Sequence, residues 1–280
     1  MTRLERPHRH GSSELVLRIC SALVLAPLAV VTAYYGRWPF AAFWGAAAVG
    51  TFIEWASLMA NGRSRSVVAA GSAAIALATI LIAAGRGAGA LPVLVAGAIG
   101  VAVVAPAGRR VWIAGGVAYA GAVAAAAVVL RSDPQYGFAA IIFLFAIVWG
   151  TDTAAYFGGR LIGGAKLAAR LSPHKTWAGA LAGLLAATVA GLIVAQLARL
   201  PGLAAIAVLA AILSICAQGG DLWESVLKRR FGAKDSGRLI PGHGGLMDRL
   251  DGFVAAGVVA MLIGIARGGL EAPGRGLLAW

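Results

Sequence analysis

The segment 218–229 reads QGGDLWESVLKR and places Glu224, Ser225 and Lys228 three, four and seven residues after Asp221. On a helix these positions share one face. Two carboxylates and a hydroxyl make a hard-oxygen set, which suits Mg²⁺, an ion that takes oxygen ligands and keeps waters and substrate phosphates. A surface pair between Glu224 and Lys228 accounts for the same spacing equally well. A second segment, 241–251, reads PGHGGLMDRLD. Pro241, Gly242, Gly244 and Gly245 break the helix and bare the backbone around His243, so that N–H groups can approach a phosphate. The run ends at a helix start, where the dipole also favours anions. Asp248 and Asp251 share a face, with Arg249 beside them. A re-entry turn with capping acids explains one of those acids. It does not explain two acids, an Arg and a His together.

Two further stretches surround these. Residues 228–238, KRRFGAKDSGR, are strongly basic. That is expected of a cytosolic topology signal and equally of an electropositive lid over polyphosphate or acidic headgroups. Residues 150–177 hold Asp152, Arg160, Lys166, Arg170, His174 and Lys175, with glycine pairs at 158–159 and 163–164. An ionisable residue such as Asp152 in or near a spanning helix is a functional candidate by default. No GKS or GKT follows the glycines, so this is not a Walker A loop. SPHKT is expected to start a helix, with Ser172 as cap and Pro173 as first residue, and its Lys175 can reach a phosphate. Glu54, inside an apolar run beside Trp55, is a weaker candidate for a proton or substrate carboxylate. Trp38, Trp112 and Tyr136 read as interfacial anchors.

The elements that must position these groups are membrane helices. Of 280 residues 60% are apolar and only 12% charged, with mean hydropathy +0.84. Soluble domains carry about 25% charged residues, so a soluble enzyme, a disordered chain and a small secreted scaffold are excluded. Cys20 and Cys216 lie far apart in apolar runs, which implies neither a disulfide framework nor a thiolate metal site. A spanning helix needs roughly 20 apolar residues. Candidate spans are 19–35, 38–60, 67–85, 88–108, 111–130, 136–157, 176–198, 202–223 and 250–266. The expected fold is therefore all-α, a polytopic integral membrane protein of eight to nine transmembrane helices. Its Gly and Ala content suits close helix packing in lipid.

Net charge is +13, but the basic residues are spread between spans instead of lining one soluble face, so no nucleic-acid partner is expected. With residues 1–14 as a cytosolic tail, 18 of the 24 basic residues fall inside, in keeping with the positive-inside rule. Without residues 160–175 and 228–249 the bias shrinks to eight against six. All four lysines, and six of the eleven acids, lie between 152 and 251. In this span scheme Asp152 ends span six, Asp221 and Glu224 end span eight, and Asp248 and Asp251 open span nine. All three ends emerge on one face. Residues 1–135 are expected to form a packing module and 136–280 the catalytic region.

The stretch Ser225–Asp251, SVLKRRFGAKDSGRLIPGHGGLMDRLD, resembles the signature of the phosphatidate cytidylyltransferase (CDP-diacylglycerol synthase) family. It matches at Ser225, Lys228, Arg229, Lys234, Asp235, His243, Gly244, Gly245, Asp248, Arg249 and Asp251. The upstream DTAAYFGGR, SPHKTW and GDLWES resemble the family's middle region, so the likeness covers about 152–266. The N-terminal half resembles the family only in being hydrophobic. The resemblance implies transfer of CMP from CTP to phosphatidic acid, giving CDP-diacylglycerol and pyrophosphate in phospholipid biosynthesis. It also implies Mg²⁺ dependence and a site on the cytosolic side of a bacterial-type plasma (inner) membrane. On this reading Asp221, Asp248, Lys228 and Arg249 serve catalysis, and Asp221, Glu224, Asp248 and Asp251 hold metal. The carboxylate count leaves room for a second ion, divalent or monovalent. Lys228, Arg229, Lys234 and Arg249 neutralise CTP phosphates, and His243, Gly244, Gly245 and Ser225 line the nucleotide site. Lys175 and Arg160 hold the lipid phosphate. Two alternatives stand beside it. One is the same chemistry on another lipid phosphate, such as an isoprenoid ether lipid. The other is a transporter, disfavoured because transporters place paired ions near the midplane, whereas here ions cluster at span ends.

Overall fold

The computed structural model describes residues 11–60, 64–169, 171–233, 235–237, 239 and 244–280. Each of the nine predicted apolar segments is helical: α1 (Gly11–Tyr35), α2 (Arg37–Ala60), α3 (Arg65–Ala83), α4 (Ala90–Val104), α5 (Arg110–Arg131), α6 (Gly137–Leu161), α7 (Trp177–Leu197), α8 (Leu203–Arg230) and α9 (Met247–Gly268). A short α10 (Pro273–Leu278) closes the chain. Among the described residues seven helices are long and apolar enough to cross a membrane, α3 to α9, two of them counted with a short 3-10 turn that precedes them. In α1 the described apolar stretch is the shorter Leu23–Tyr35. α2 has 24 residues, but its tryptophans and Glu54 dilute its hydropathy.

Small residues set the packing. Where α6 meets α7, a Cβ on Gly179 would lie 2.7 Å from the Ala155 carbonyl, and one on Gly183 2.9 Å from that of Thr151. Backbones this close gain dispersion contacts that lipid tails cannot match. A Cβ on Gly220 of α8 would likewise stand 2.5 Å from the Asp251 carbonyl of α9. Two aromatic clusters tie the first helices to the last. Trp44 of α2 stacks on Phe253 of α9 at 4.3 Å and on Phe145 of α6 at 6.1 Å. Trp55 of α2, Tyr119 of α5 and Trp223 of α8 stack mutually at 5.0 to 6.0 Å. Offset aromatic pairs at such distances add about 0.5–1.5 kcal/mol each beyond burial. α4 is different: only Ala90 and Val101 are buried, and Leu91, Val95, Ile99 and Val103 face outward.

Two local expectations are corrected. SPHKT does not begin a helix. Ser172–Thr176 is a strand, β2, paired antiparallel with β1 (Lys166–Ala168). Pro173 is tolerated there because a two-stranded ribbon leaves donor positions that need no partner. The cap of α7 is Thr176, whose hydroxyl accepts from the Gly179 N–H at 3.1 Å. Nor do the helices stop where hydropathy falls. α8 runs to Arg230, so Asp221, Glu224, Ser225 and Lys228 lie in continuous helix. α6 runs to Leu161, which leaves Asp152 more than two turns inside it.

Candidate active site

The last turns of α8, the first turn of α9 and β2 bring the predicted charges together. Lys228 Nζ donates to Asp248 Oδ1 at 2.6 Å and stands 3.6 Å from Glu224 Oε1. Asp248 Oδ2 accepts two backbone N–H groups, from Ser236 and Gly245, each at 3.1 Å. Lys175, at the end of β2, forms an ion pair with Asp221. With side chains 24% and 40% exposed, this pair is screened by solvent and is worth about 0–1 kcal/mol. Asp251 Oδ1 accepts from the Gly252 N–H at 2.7 Å.

Glu224 is the exception. Its side chain is 0% exposed, and among the described residues no N–H or O–H group donates to it within hydrogen-bond distance. Lys228, 3.6 Å away, is its cationic partner, and the carboxyl of Asp251 lies against it. Buried polar atoms are nearly always paired, so two adjoining buried carboxyls served by one lysine mark a place suited to a further cation. All the donors here are oxygen, as magnesium prefers. Among the described residues, however, no three acidic, histidine or cysteine side chains already form a cage for an ion. An ion here would complete its shell with waters and substrate oxygens.

Two cavities flank α8. One, about 360 Å³, is lined by Ser172, His174, Ser225, Lys228, Arg229 and Asp235. The other, about 510 Å³, is almost wholly apolar and lined by Tyr119, Cys216, Gly220, Trp223, Asp251 and Val258 among others. At about 100° per residue, Ser225, Lys228 and Arg229 centre on one face of α8 and Cys216, Gly219, Gly220 and Trp223 on the opposite one. Asp221 lies on the first of these faces, and Glu224 falls between the two. Tyr119 Oη is buried beside the apolar cavity without a hydrogen-bond partner.

Other predicted residues are placed as follows. Asp152 senses the charges of Asp251, Asp221, Lys175 and Arg249, so α6 joins the site through it. Arg160 lies on the outer end of α6, its Nη1 donating to Tyr156 Oη at 2.9 Å. Gly244 adopts φ +85°, and a Cβ on Gly245 would collide with Ser236 Oγ at 1.9 Å. Lys234, His243, Arg170, Pro241 and Gly242 lie outside the described residues. Trp112 does more than anchor an interface: it stacks under the Arg230 guanidinium at 4.7 Å and against Phe231, holding the end of α8. Glu54 is buried and bonded to the 236–247 region. Its acidity within an apolar run was the only signal that pointed to it.

A family model described as "Cytidylyltransferase family" matches residues 16–265. The phosphatidate cytidylyltransferase of Brucella suis is 46% identical over 253 residues, covering 90% of this chain and 94% of that protein. Phosphatidate cytidylyltransferases of Haemophilus influenzae (39% identical over 132 residues, 44% of this chain and 45% of that protein) and Bacillus subtilis (40% over 126, 45% and 47%) match over shorter stretches. The family match spans both the first helices and the α8–α9 charge cluster, and on that extent the chain belongs to the cytidylyltransferase family.

Proposed function

We propose that this chain is a phosphatidate cytidylyltransferase, moving CMP from CTP onto phosphatidic acid and releasing pyrophosphate. The observation that carries the reading is the two-sided α8. A cationic, hydroxyl-lined cavity suits a triphosphate and an apolar cavity suits acyl chains, with Asp221 on the cationic face of the helix and Glu224 between the two.

In the reaction a phosphate oxygen of phosphatidic acid attacks the α-phosphorus of CTP. The bond from that phosphorus to the β-bridging oxygen breaks, and pyrophosphate leaves with the bond electrons. The lipid phosphate is already anionic, so no covalent enzyme intermediate is required. Lys228 and Arg229 offset the triphosphate charge, and Ser225 donates a hydroxyl hydrogen bond. Lys175 stands where a lipid phosphate meets Asp221. Such fixed charges act by positioning and by stabilising charge that develops in the transition state. Asp221, Glu224, Asp248 and Asp251 would hold Mg²⁺, which when bound polarises the phosphoryl oxygens. The adjoining buried carboxyls of Glu224 and Asp251 support this assignment. Lys234, His243 and Arg249 complete the nucleotide contacts on this reading, and Arg160 the lipid phosphate contacts. The site faces the cytosol, where CTP is found, in a bacterial inner membrane, and the first-half helices supply the surface for a homodimer.

The test is turnover by purified protein in detergent–lipid micelles with radiolabelled CTP. Label that extracts into organic solvent only with both phosphatidic acid and Mg²⁺ is the expected result. Label transferred only to a different lipid phosphate would reassign the substrate. No CTP consumption by folded protein with any lipid phosphate would overturn the reading.

A further inference from the structure

Glu54 belongs to α2, in the half of the chain that carries none of the signature residues, and it is 4% exposed. Among the described residues its three hydrogen-bond donors come from 182 to 193 residues away, all at the α8–α9 junction. Ser236 Oγ donates to Oε2 at 3.3 Å, Met247 N–H to Oε2 at 2.9 Å and Leu239 N–H to Oε1 at 3.3 Å. The Met247 N–H belongs to the first turn of α9, whose donors have no partner within the helix. Glu54 therefore caps α9 from another helix, with a negative charge at the positive end of its dipole. Ser236 is shared: its hydroxyl goes to Glu54 and its N–H to Asp248. The junction is pinned between two carboxylates, one on α2 and one on α9.

Shape agrees with the hydrogen bonds. A Cβ on Gly237 would stand 2.6 Å from Glu54 Oε1, and one on Gly245 2.9 Å from Oε2. One turn earlier on the same face of α2, a Cβ on Gly50 would meet the side chains of Leu239 and Leu246 at 2.9 and 2.8 Å. α2 thus offers a notch at Gly50 and an acceptor at Glu54, and the junction has glycine at 237 and 245, where a side chain would intrude on Glu54. Glu54 lines neither cavity, so it is not placed to touch either substrate.

We propose that Glu54 is a positioning residue for the transfer reaction: it holds Ser236, Leu239 and Met247 on α2 so that Asp248 meets Lys228 with both carboxylate oxygens engaged. This rests on the cytidylyltransferase reading for its kinetic readout but not for its structural one. In Glu54→Gln one oxygen becomes an NH₂ that faces a donor and cannot accept. With the full-length protein in micelles, Glu54→Gln is expected to lower kcat about thirtyfold, the scale of losing one hydrogen bond to a charge. The KM for the lipid should stay within about twofold, because that surface lies on the far face of α8. Trypsin, which cuts after Lys234 and Arg238, should cleave Glu54→Gln between 231 and 246 several times faster than wild type. Ser236→Ala, which loses one of the three bonds, should show both effects at about a third to a tenth of the size, and it decides the matter if Glu54→Gln fails to fold. Kinetics and cleavage equal to wild type in a folded variant would overturn the proposal. So would a lower melting temperature with unchanged kcat per folded molecule, which would make Glu54 merely structural. If wild type turns over no lipid phosphate, the functional reading fails, and the cleavage rates still decide whether Glu54 holds the junction.

Discussion

Asp133 and Glu224 are both buried acids, at the two ends of the bundle. Asp133, in the turn between α5 and α6, is 2% exposed, and every one of its hydrogen bonds is to backbone. Its Oδ1 accepts from the Gln135 and Tyr136 N–H groups at 2.9 and 2.8 Å, and its Oδ2 from the Arg275 N–H at 2.8 Å, tying α10 to the start of α6. Glu224 is equally buried, and among the described residues it accepts no N–H group; it has Lys228 at 3.6 Å, which is shared with Asp248. Both burials carry a desolvation cost. At Asp133 the backbone offsets it in full. At Glu224 one shared lysine does so only in part, and the difference separates a carboxylate that stabilises the fold from one with room for a ligand.

The largest expected effect would come from the acids already matched with lysines. Asp248→Asn or Asp221→Asn should lower kcat about a thousandfold or more, the scale of losing a preorganised charge in a phosphoryl-transfer site. The melting curve should still show a folded protein, and near-normal turnover in both would break the comparison at once. Next comes the pair that defines it. Glu224→Gln should cost about a hundredfold in turnover while changing the melting temperature little, since the amide keeps the shape and relieves the crowding of acids with Asp251 and Asp248. Asp133→Asn should do the reverse. It should retain kcat per folded molecule and lose about 1–3 kcal/mol of stability, because one oxygen that accepted an N–H can no longer do so. Equal effects of the two substitutions on turnover would erase the distinction. Gly245→Ala, whose methyl would press on Ser236, should slow turnover about tenfold, in line with a 1–3 kcal/mol overpacking cost. The smallest effect is expected of Arg160→Ala, an exposed side chain whose hydrogen bond goes to Tyr156. A rise of about threefold in the lipid KM is the scale of an exposed ionic contact. A large loss of kcat would instead move Arg160 into the centre of the site.

The helices were legible because a run of apolar residues long enough to cross a bilayer has few other fates. The acids at 221, 224, 248 and 251 were legible because charge is rare in such a sequence and their spacing matches a helix face. Helix ends were less so. Hydropathy marks where lipid stops, whereas α8 continues to Arg230 because its backbone hydrogen bonds do not depend on lipid. The β1–β2 ribbon gave no alternation to read, since Lys166–Ala168 and Ser172–Thr176 have no buried apolar face to pattern. The partners of Glu54 were beyond reach for another reason. Two of its three donors are backbone N–H groups, which every residue but proline has, and all three lie at least 182 residues away.

The bond from Met247 N–H to Glu54 also orders events in time. The chain is made from its N-terminus, so α2 has entered the membrane some 190 residues before the α8–α9 junction leaves the ribosome. The mould therefore exists before the part cast on it, and the junction need not search for its shape. The same order has a practical side. A fragment beginning near residue 136 would hold every signature residue and lack the surface that sets them, so splitting this enzyme into halves should succeed only when both halves are made together.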